Sequence, residues 1–399
     1  MVPTHSDGIH AVEPTTDSSN GPRELKYLPA EFYASRLSDA AKDLQPSAIL
    51  SLFPLETTPG LISLLAGKPN GSTFPFTSFQ YSVRSPVDPS QEQTIRLDGA
   101  QLSESLQYGR SAGQADLLEW AYGLQEYAHG RRRGEGWRIS VGNGSQDMIN
   151  KAVWATVNRG DAVLLETPMY SGVLPMFQAL HCEMIDDPYY FLYYGAATRP
   201  PSYFSLERDE AEVGRVLRFD SLSKILSSGL RVGFISAPEP FVTVIDSHTA
   251  TSNLHPSSLT QMVAYTLLSS WGYDTLMLHS AHVSGFYKAK RDVFERAMRK
   301  HLDGLAEWTP PEAGMFYWFK LLLHAPGVPE TSLEEDSEAV IRTKAVEKGV
   351  LALPGTVFLP SGRKTAYVRA AFSLLSDEAI NEALKRLREV VLDARGTSE

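Results

Sequence analysis

Apolar positions along this chain follow two alternating rhythms. Trp137–Val141 is a short apolar run ending in the turn Gly142-Asn143-Gly144, and helical spacing takes over from Ser145 to about Val157. Asp161–Glu166 repeats the strand pattern and Ser171–Leu180 the helical one. Strand, glycine turn, helix, strand is the rhythm of a parallel sheet with helical crossovers, so the pattern predicts an α/β fold. Upstream it predicts a helix over Glu24–Leu44 stopped by Pro46, a strand at Ile62–Gly67 closed by Lys68-Pro69-Asn70-Gly71, and an amphipathic helix at Gln114–Tyr127.

The second half changes character. Ser258–Trp271 and Met277–Leu302 are long helical patterns, and Glu307–Leu323 reads as two strands around Pro310, Pro311 and Gly314. Thr331–Lys348 is helical, Val350–Leu353 and Ala366–Ser373 are strands, and Asp377–Leu392 is a closing amphipathic helix. Antiparallel strands with helices on one face make a smaller α+β domain. The expected organisation is a tail and first helix over 1–45, a large domain over 46–273 and a small one over 274–399.

Composition narrows the function classes. With 399 residues, 43% hydrophobic and 21% charged, the chain is long enough for two lobes and ordinary for a globular protein. Lys+Arg 37 against Asp+Glu 47 leaves a net charge of −10, a poor balance for neutralising nucleic-acid phosphates. Cys182 is the only cysteine, which excludes an internal disulfide and a thiolate zinc site. No apolar run approaches a membrane span. The first 22 residues hold no Lys or Arg but include Asp7, Glu13 and Asp17, unlike a secretory or mitochondrial leader. A solvated lead-in and a cytoplasmic protein are expected.

Three stretches carry candidate chemistry. In Phe219–Gly233, Ser221 and Ser223 precede Lys224, and Arg231 follows Gly229. Hydroxyls and a guanidinium suit a phosphate dianion, and the lysine an aldehyde beside it. By itself the stretch could equally be a Ser-rich turn with two cations. The Ser221-x-x-Lys224 spacing of serine acyl enzymes is set aside, because Ser-Asp-Asn and Lys-Thr-Gly are both missing. In Ile185–Phe191, Asp186 and Tyr189 could address a pyridine ring at its nitrogen and its hydroxyl, or form an aromatic turn. Gly144-Ser145-Gln146 opens a helix, where backbone N–H groups bind phosphate and Ser is also a good N-cap.

Taken together, Leu-Gln-Tyr108, Gly-Ser-Gln146, Pro-Met-Tyr170-Ser-Gly, Asp186-Asp-Pro-Tyr189, Ser-Leu-Ser-Lys224, Ala313-Gly-Met-Phe-Tyr-Trp318 and Tyr-Val-Arg369 resemble the fold-type I pyridoxal-phosphate aminotransferases. The nearest branch contains the kynurenine/2-aminoadipate and fungal aromatic amino acid enzymes, and the resemblance runs from about Pro46 to Val391. It implies a large domain with a mostly parallel sheet flanked by helices, and pyridoxal 5′-phosphate as cofactor. By position, Lys224 matches the Schiff-base lysine and proton carrier, Asp186 the pyridinium partner, and Tyr189 the residue on the ring hydroxyl. Tyr170 matches the ring that stacks on the pyridine, and Ser145, Gln146, Ser221, Ser223 and Arg231 the phosphate cup. Arg369 matches the clamp on the substrate α-carboxylate, with Gly67 and Tyr170 also at the substrate. Tyr108 matches a tyrosine that reaches the neighbouring subunit's phosphate, implying a homodimer with shared sites. The reaction implied is transamination between an L-amino acid, aromatic by preference, and a 2-oxo acid.

Two departures stand out. The chain passes from Cys182-Glu-Met-Ile straight to Asp186, where family members carry several dozen residues, including an Asn-Pro-x-Gly turn found nowhere here. An internal deletion at 184/185 predicts impaired folding or activity. Ile49-Leu50 stands where relatives have Ile-Arg, favouring an apolar or aromatic side chain. Alternatives are a lyase of the same fold using Lys224, Asp186 and Arg369, or a catalytically impaired isoform. A cofactor-sensing DNA-binding regulator would need a longer, less acidic segment before Pro46.

Overall fold

The computed structural model describes residues 25–45, 52, 55, 58–62, 64–65, 67–163, 172, 176, 189–324, 336–359 and 361–396. The leader, Ile49-Leu50, Tyr170, the 184/185 junction and Asp186 lie outside them.

The expected first helix is two: α1 (Ala30–Arg36) and α2 (Asp39–Asp43). Ser38 breaks them apart. Its Oγ accepts from Ala41 N–H and donates to the Trp154 carbonyl, tying the break to a later helix. A hairpin follows, β1 (Gln80–Arg84) antiparallel to β2 (Glu92–Arg96), then α3 (Gly99–Ser105), capped by reciprocal Asp98 and Gln101 bonds. Helix α4 (Ala115–His129) ends at Gly130 in the left-handed region.

The first core surrounds a three-stranded sheet ordered β3 (Trp137–Gly142), β5 (Gly233–Pro238), β4 (Arg218–Ser221). Both pairings are antiparallel, so β3 and β4 run the same way with β5 opposed between them. The parallel crossovers expected around Asp161–Glu166 are not seen: residues 161–163 belong to no strand, and the rest lies outside the described chain. Helix α5 (Ser145–Thr156) and α7 (Glu239–Ser252) pack over one face through Met148, Ala152, Ile235 and Ile245; α6 is the single turn Tyr203–Leu206. On the other face α4 joins Leu222, Ile225 and Phe234.

The strand expected at Ile62–Gly67 does not form among its described residues. Ile62 is 89% and Leu64 99% exposed, so within one chain these apolar side chains find no core to pair against.

Helix α8 (Ser258–His301) bends at Gly272, whose φ of 69° and ψ of −179° interrupt the helical ladder. Beyond the bend lies a second core, built on an antiparallel sheet ordered β6 (Ala306–Trp308), β7 (Phe316–Leu321), β9 (Tyr367–Ala371), β8 (Leu353–Pro354). Helix α9 (Ser337–Val340) runs into a wider turn, and α10 (Asp377–Arg395) buries Ile380, Leu384, Leu387 and Val391 against the sheet. No helix among the described residues is long and apolar enough to cross a membrane.

Candidate active site

The loop from Leu222 to Val232 joins β4 to β5 and is closed by Leu222 N–H on the Val232 carbonyl, 3.1 Å. Leu222 and Ile225 sink into the first core, which leaves Ser223 and Lys224 half-buried on the loop's outer side. Arg231 ends the loop at φ 52°, a left-handed conformation that costs a bulky residue about 1–2 kcal/mol. That backbone turns its guanidinium back on the loop. Nη1 donates to Ser223 Oγ (3.0 Å) and the Ser228 carbonyl (3.2 Å), and Nη2 donates to the Asn143 carbonyl (2.9 Å).

Asn143 belongs to the turn that opens α5, so the guanidinium joins two segments 88 positions apart. Gly144 is needed here twice over. Its φ of 88° is a glycine conformation, and a Cβ would lie 2.9 Å from the Arg231 Cζ. Gly233 is packed as tightly, since its Cβ would meet Ser145 N at 2.7 Å and the Asp220 carbonyl at 2.8 Å. The result is a cup whose floor is the first turn of α5, with Ser145 and Gln146, and whose wall is Ser221, Ser223 and Arg231. Unpaired helix N–H groups, hydroxyls and a guanidinium suit a phosphate dianion. Gln146 donates to the Gly172 carbonyl at 2.7 Å, which ties the first turn of α5 to that residue. These residues fit the phosphate end of pyridoxal 5′-phosphate.

Behind the cup is a buried network the sequence reading missed. Arg218 and Asp220 lie on the same face of β4 and pair at 2.9 and 2.6 Å, and Gln125 of α4 donates to Asp220 at 2.9 Å. Burial pushes the Asp220 carboxyl up, but Arg218, His129 and Gln125 together bring it below the ordinary range. His129 is driven down to about 3 by burial and then by Arg218. The signal available was an i, i+2 pair of opposite charges inside an apolar strand, which puts both on one face.

The second group converges through rings. Tyr189 packs on Gly314, where a Cβ would come within 3.1 Å of it, and meets Phe316 edge-on at 6.2 Å. Phe316 lies under the Arg369 guanidinium at 4.0 Å, with Phe358 at 4.7 Å. Tyr189 also packs partly on the core that holds Leu222 and Ile225. Tyr108 stands apart, 55% exposed, edge-on to His255 at 6.0 Å, and Gly67 is exposed with open space around it. No group of three His, Cys, Asp or Glu able to hold a metal occurs among the described residues.

Comparisons with known proteins agree with this chemistry. The family model for aminotransferase class I and II matches residues 183–387. The chain is 35% identical over 431 residues to the aminotransferase tdiD of Emericella nidulans, covering 91% of this chain and 96% of that protein. It is 31% identical over 414 residues to the mitochondrial kynurenine/alpha-aminoadipate aminotransferase of Rattus norvegicus, covering 84% and 92%. The solved aminotransferase Aro8 from Candida albicans shares the fold at a TM-score of 0.81 and 20% identity, over 94% of this chain and all of that one. Both aligned stretches are longer than the 399 residues here, so the relatives carry residues with no counterpart in this chain. The family match opens at residue 183, beside the 184/185 junction. The chain belongs to the class I and II aminotransferases, fold-type I enzymes that use pyridoxal 5′-phosphate to move an amino group between an amino acid and a 2-oxo acid.

Proposed function

We propose that this chain transfers the amino group of an aromatic L-amino acid to a 2-oxo acid at a site centred on Lys224. The observation that carries this reading is the closure of the Arg231 guanidinium over Gly144, which builds a dianion cup on the loop that bears the lysine. Bound there, the cofactor supplies an electron sink that makes the Cα proton of an attached amino acid labile.

The chain's own residues do the rest. Lys224 would hold the cofactor through its Nζ, and its amine is the group that would take up the substrate Cα proton and pass it on. Ser145, Gln146, Ser221, Ser223 and Arg231 hold the phosphate, and Tyr189 orients the ring through its hydroxyl. Asp186 and Tyr170 lie outside the described residues; the family resemblance gives them the ring nitrogen and the ring face. The Arg369 guanidinium binds the α-carboxylate as a bidentate partner, with the Phe316 and Phe358 rings against it to fix its orientation. The same rings, and relatives named for kynurenine/alpha-aminoadipate and aromatic amino acids, support an aromatic side chain.

The active form in this reading is a homodimer, with the exposed Tyr108 completing the partner's cup, and it resides in the cytosol. The bend at Gly272 supports a division into a large domain before about residue 273 and a small one after it. The test is an absorbance spectrum and a donor panel. Wild type should show a visible-edge band that Lys224→Ala lacks, and the variant should lose both transamination and its hold on the cofactor. Turnover by Lys224→Ala at the wild-type rate would sink the assignment.

A further inference from the structure

Beyond its bend, α8 turns one stripe toward the first core: Leu276, His279, Ser280, Val283, Ser284 and Tyr287, at helical spacings of three and four. Leu276 is buried with Leu222 and Ile225, and Val283 and Tyr287 pack beside them. Three polar residues in such a stripe need partners, and two of them have backbone carbonyls from the segments that carry the chemistry. His279 Nε2 lies 2.7 Å from the carbonyl of Ile225, the residue after Lys224. A carbonyl only accepts, so Nε2 carries the proton. Ser284 Oγ donates at 3.4 Å to the carbonyl of Phe191, two residues after Tyr189.

Before the lysine, the turn is held at Leu222 and Ser223, whose Oγ accepts from Arg231 and whose N–H donates to Ser221 Oγ. Leu226 N–H and Ser227 N–H both close on the Leu222 carbonyl, at 2.9 and 3.2 Å. His279 supplies a hold from outside, on the peptide group one residue beyond the lysine. On its other side the imidazole meets Trp271 at 5.0 Å, and Trp271 precedes the Gly272 bend. The two arms of the bent helix therefore meet on this one ring.

We propose that His279 is a positioning residue for Lys224, a strut that fixes the lysine turn to the bend in α8. Any change in the bend angle then moves the Ile225 carbonyl and re-aims Lys224. The proposal rests on Lys224 being the cofactor lysine, so its test uses one readout that needs no cofactor and one that does. The variants are His279→Phe, which keeps a ring and removes the donor, and His279→Gln, whose amide reaches about as far as Nε2. His279→Asn is polar but one carbon shorter, and it covers the case in which phenylalanine disturbs folding.

Amide exchange of residues 222–232 is followed by mass spectrometry without cofactor. Cofactor dissociation constant, the pH midpoint of the lysine-bound absorbance, kcat and KM are then measured on loaded protein. Phe and Asn should speed loop exchange by about three- to tenfold, the worth of one hydrogen bond, while Gln stays near wild type. The same two variants should shift the absorbance midpoint and lower kcat with KM little changed, and Gln should rescue both. Wild-type exchange in the Phe and Asn variants overturns the strut, and so does a Gln variant as impaired as Asn. If wild type captures no cofactor but exchange responds as expected, the Lys224 reading fails and the strut stands.

Discussion

Replacing Gly144 by alanine separates the two reasons a glycine stands there. The first is backbone strain: at φ 88° and ψ 169° an L side chain costs about 1–3 kcal/mol. The second is space, because the new Cβ would contact Arg231 Nη2 and lie 2.9 Å from Cζ. The guanidinium is the movable partner, so it swings away and gives up its bonds to the Asn143 carbonyl and Ser223 Oγ. Withdrawing one charge-assisted contact from the phosphate is worth about 1.5–3 kcal/mol, or about ten- to a hundredfold in cofactor affinity. Gly160→Ala is the control, since Gly160 has φ 91° with nothing within 4 Å of a would-be Cβ. Both variants should lower Tm, and only Gly144→Ala should lose cofactor affinity when apoprotein is titrated with pyridoxal 5′-phosphate. Equal affinities for the two variants would show that Arg231 does not meet the phosphate.

Arg369→Ala should depress kcat/KM for every amino donor by a common factor, about 1.5–3 kcal/mol of transition-state binding; a loss confined to one side-chain class would remove it from the α-carboxylate. His129 titrates at about 3 when folded and near 6.5 when unfolded, so between those values the unfolded chain holds the extra proton. Folding stability should therefore be flat above pH 6.5 on this residue's account and fall below it, by up to about 1.4 kcal/mol per pH unit. His129→Phe should flatten that slope in urea unfolding, and an unchanged slope would refute the burial argument. Splicing a relative's missing segment between Met184 and Ile185 should raise Tm, tighten cofactor binding and increase turnover; a parent chain equal in all three would make the deletion a tolerated variation.

The chemistry was legible where it is local in sequence. Gly144-Ser145-Gln146 announces a helix start, and Ser221 to Arg231 lie within one loop. What no local pattern contains is their meeting, because Gly144 and Arg231 are brought together only by β5 lying between β3 and β4. Strand direction is equally invisible: Gly233–Pro238 is buried throughout, so it has no alternation to read and no mark of its reversed course. The hairpin Gln80–Arg96 went unread although Tyr81, Val83 and Ile95 alternate toward one face, because each strand is five residues long and only Ile95 is buried. The helix expected over Glu24–Leu44 breaks because Ser38 finds the Trp154 carbonyl, a tertiary contact that outweighs helical propensity. Long-range partners likewise explain why Arg218, Asp220 and His279 went unread, as their roles depend on residues tens of positions away.

The three hydrogen bonds that hold Arg231 all end on protein oxygens, and its backbone is already in the left-handed conformation. In the proposed cup the guanidinium is thus fixed by protein contacts, and an anion bound there would meet little ordering entropy. A cup of this kind would recognise charge and tetrahedral shape rather than the vitamin attached to them. Inorganic phosphate and sulfate would then be its natural competitors, and the buffer in which apoprotein is prepared would set how fast and how fully the enzyme reloads.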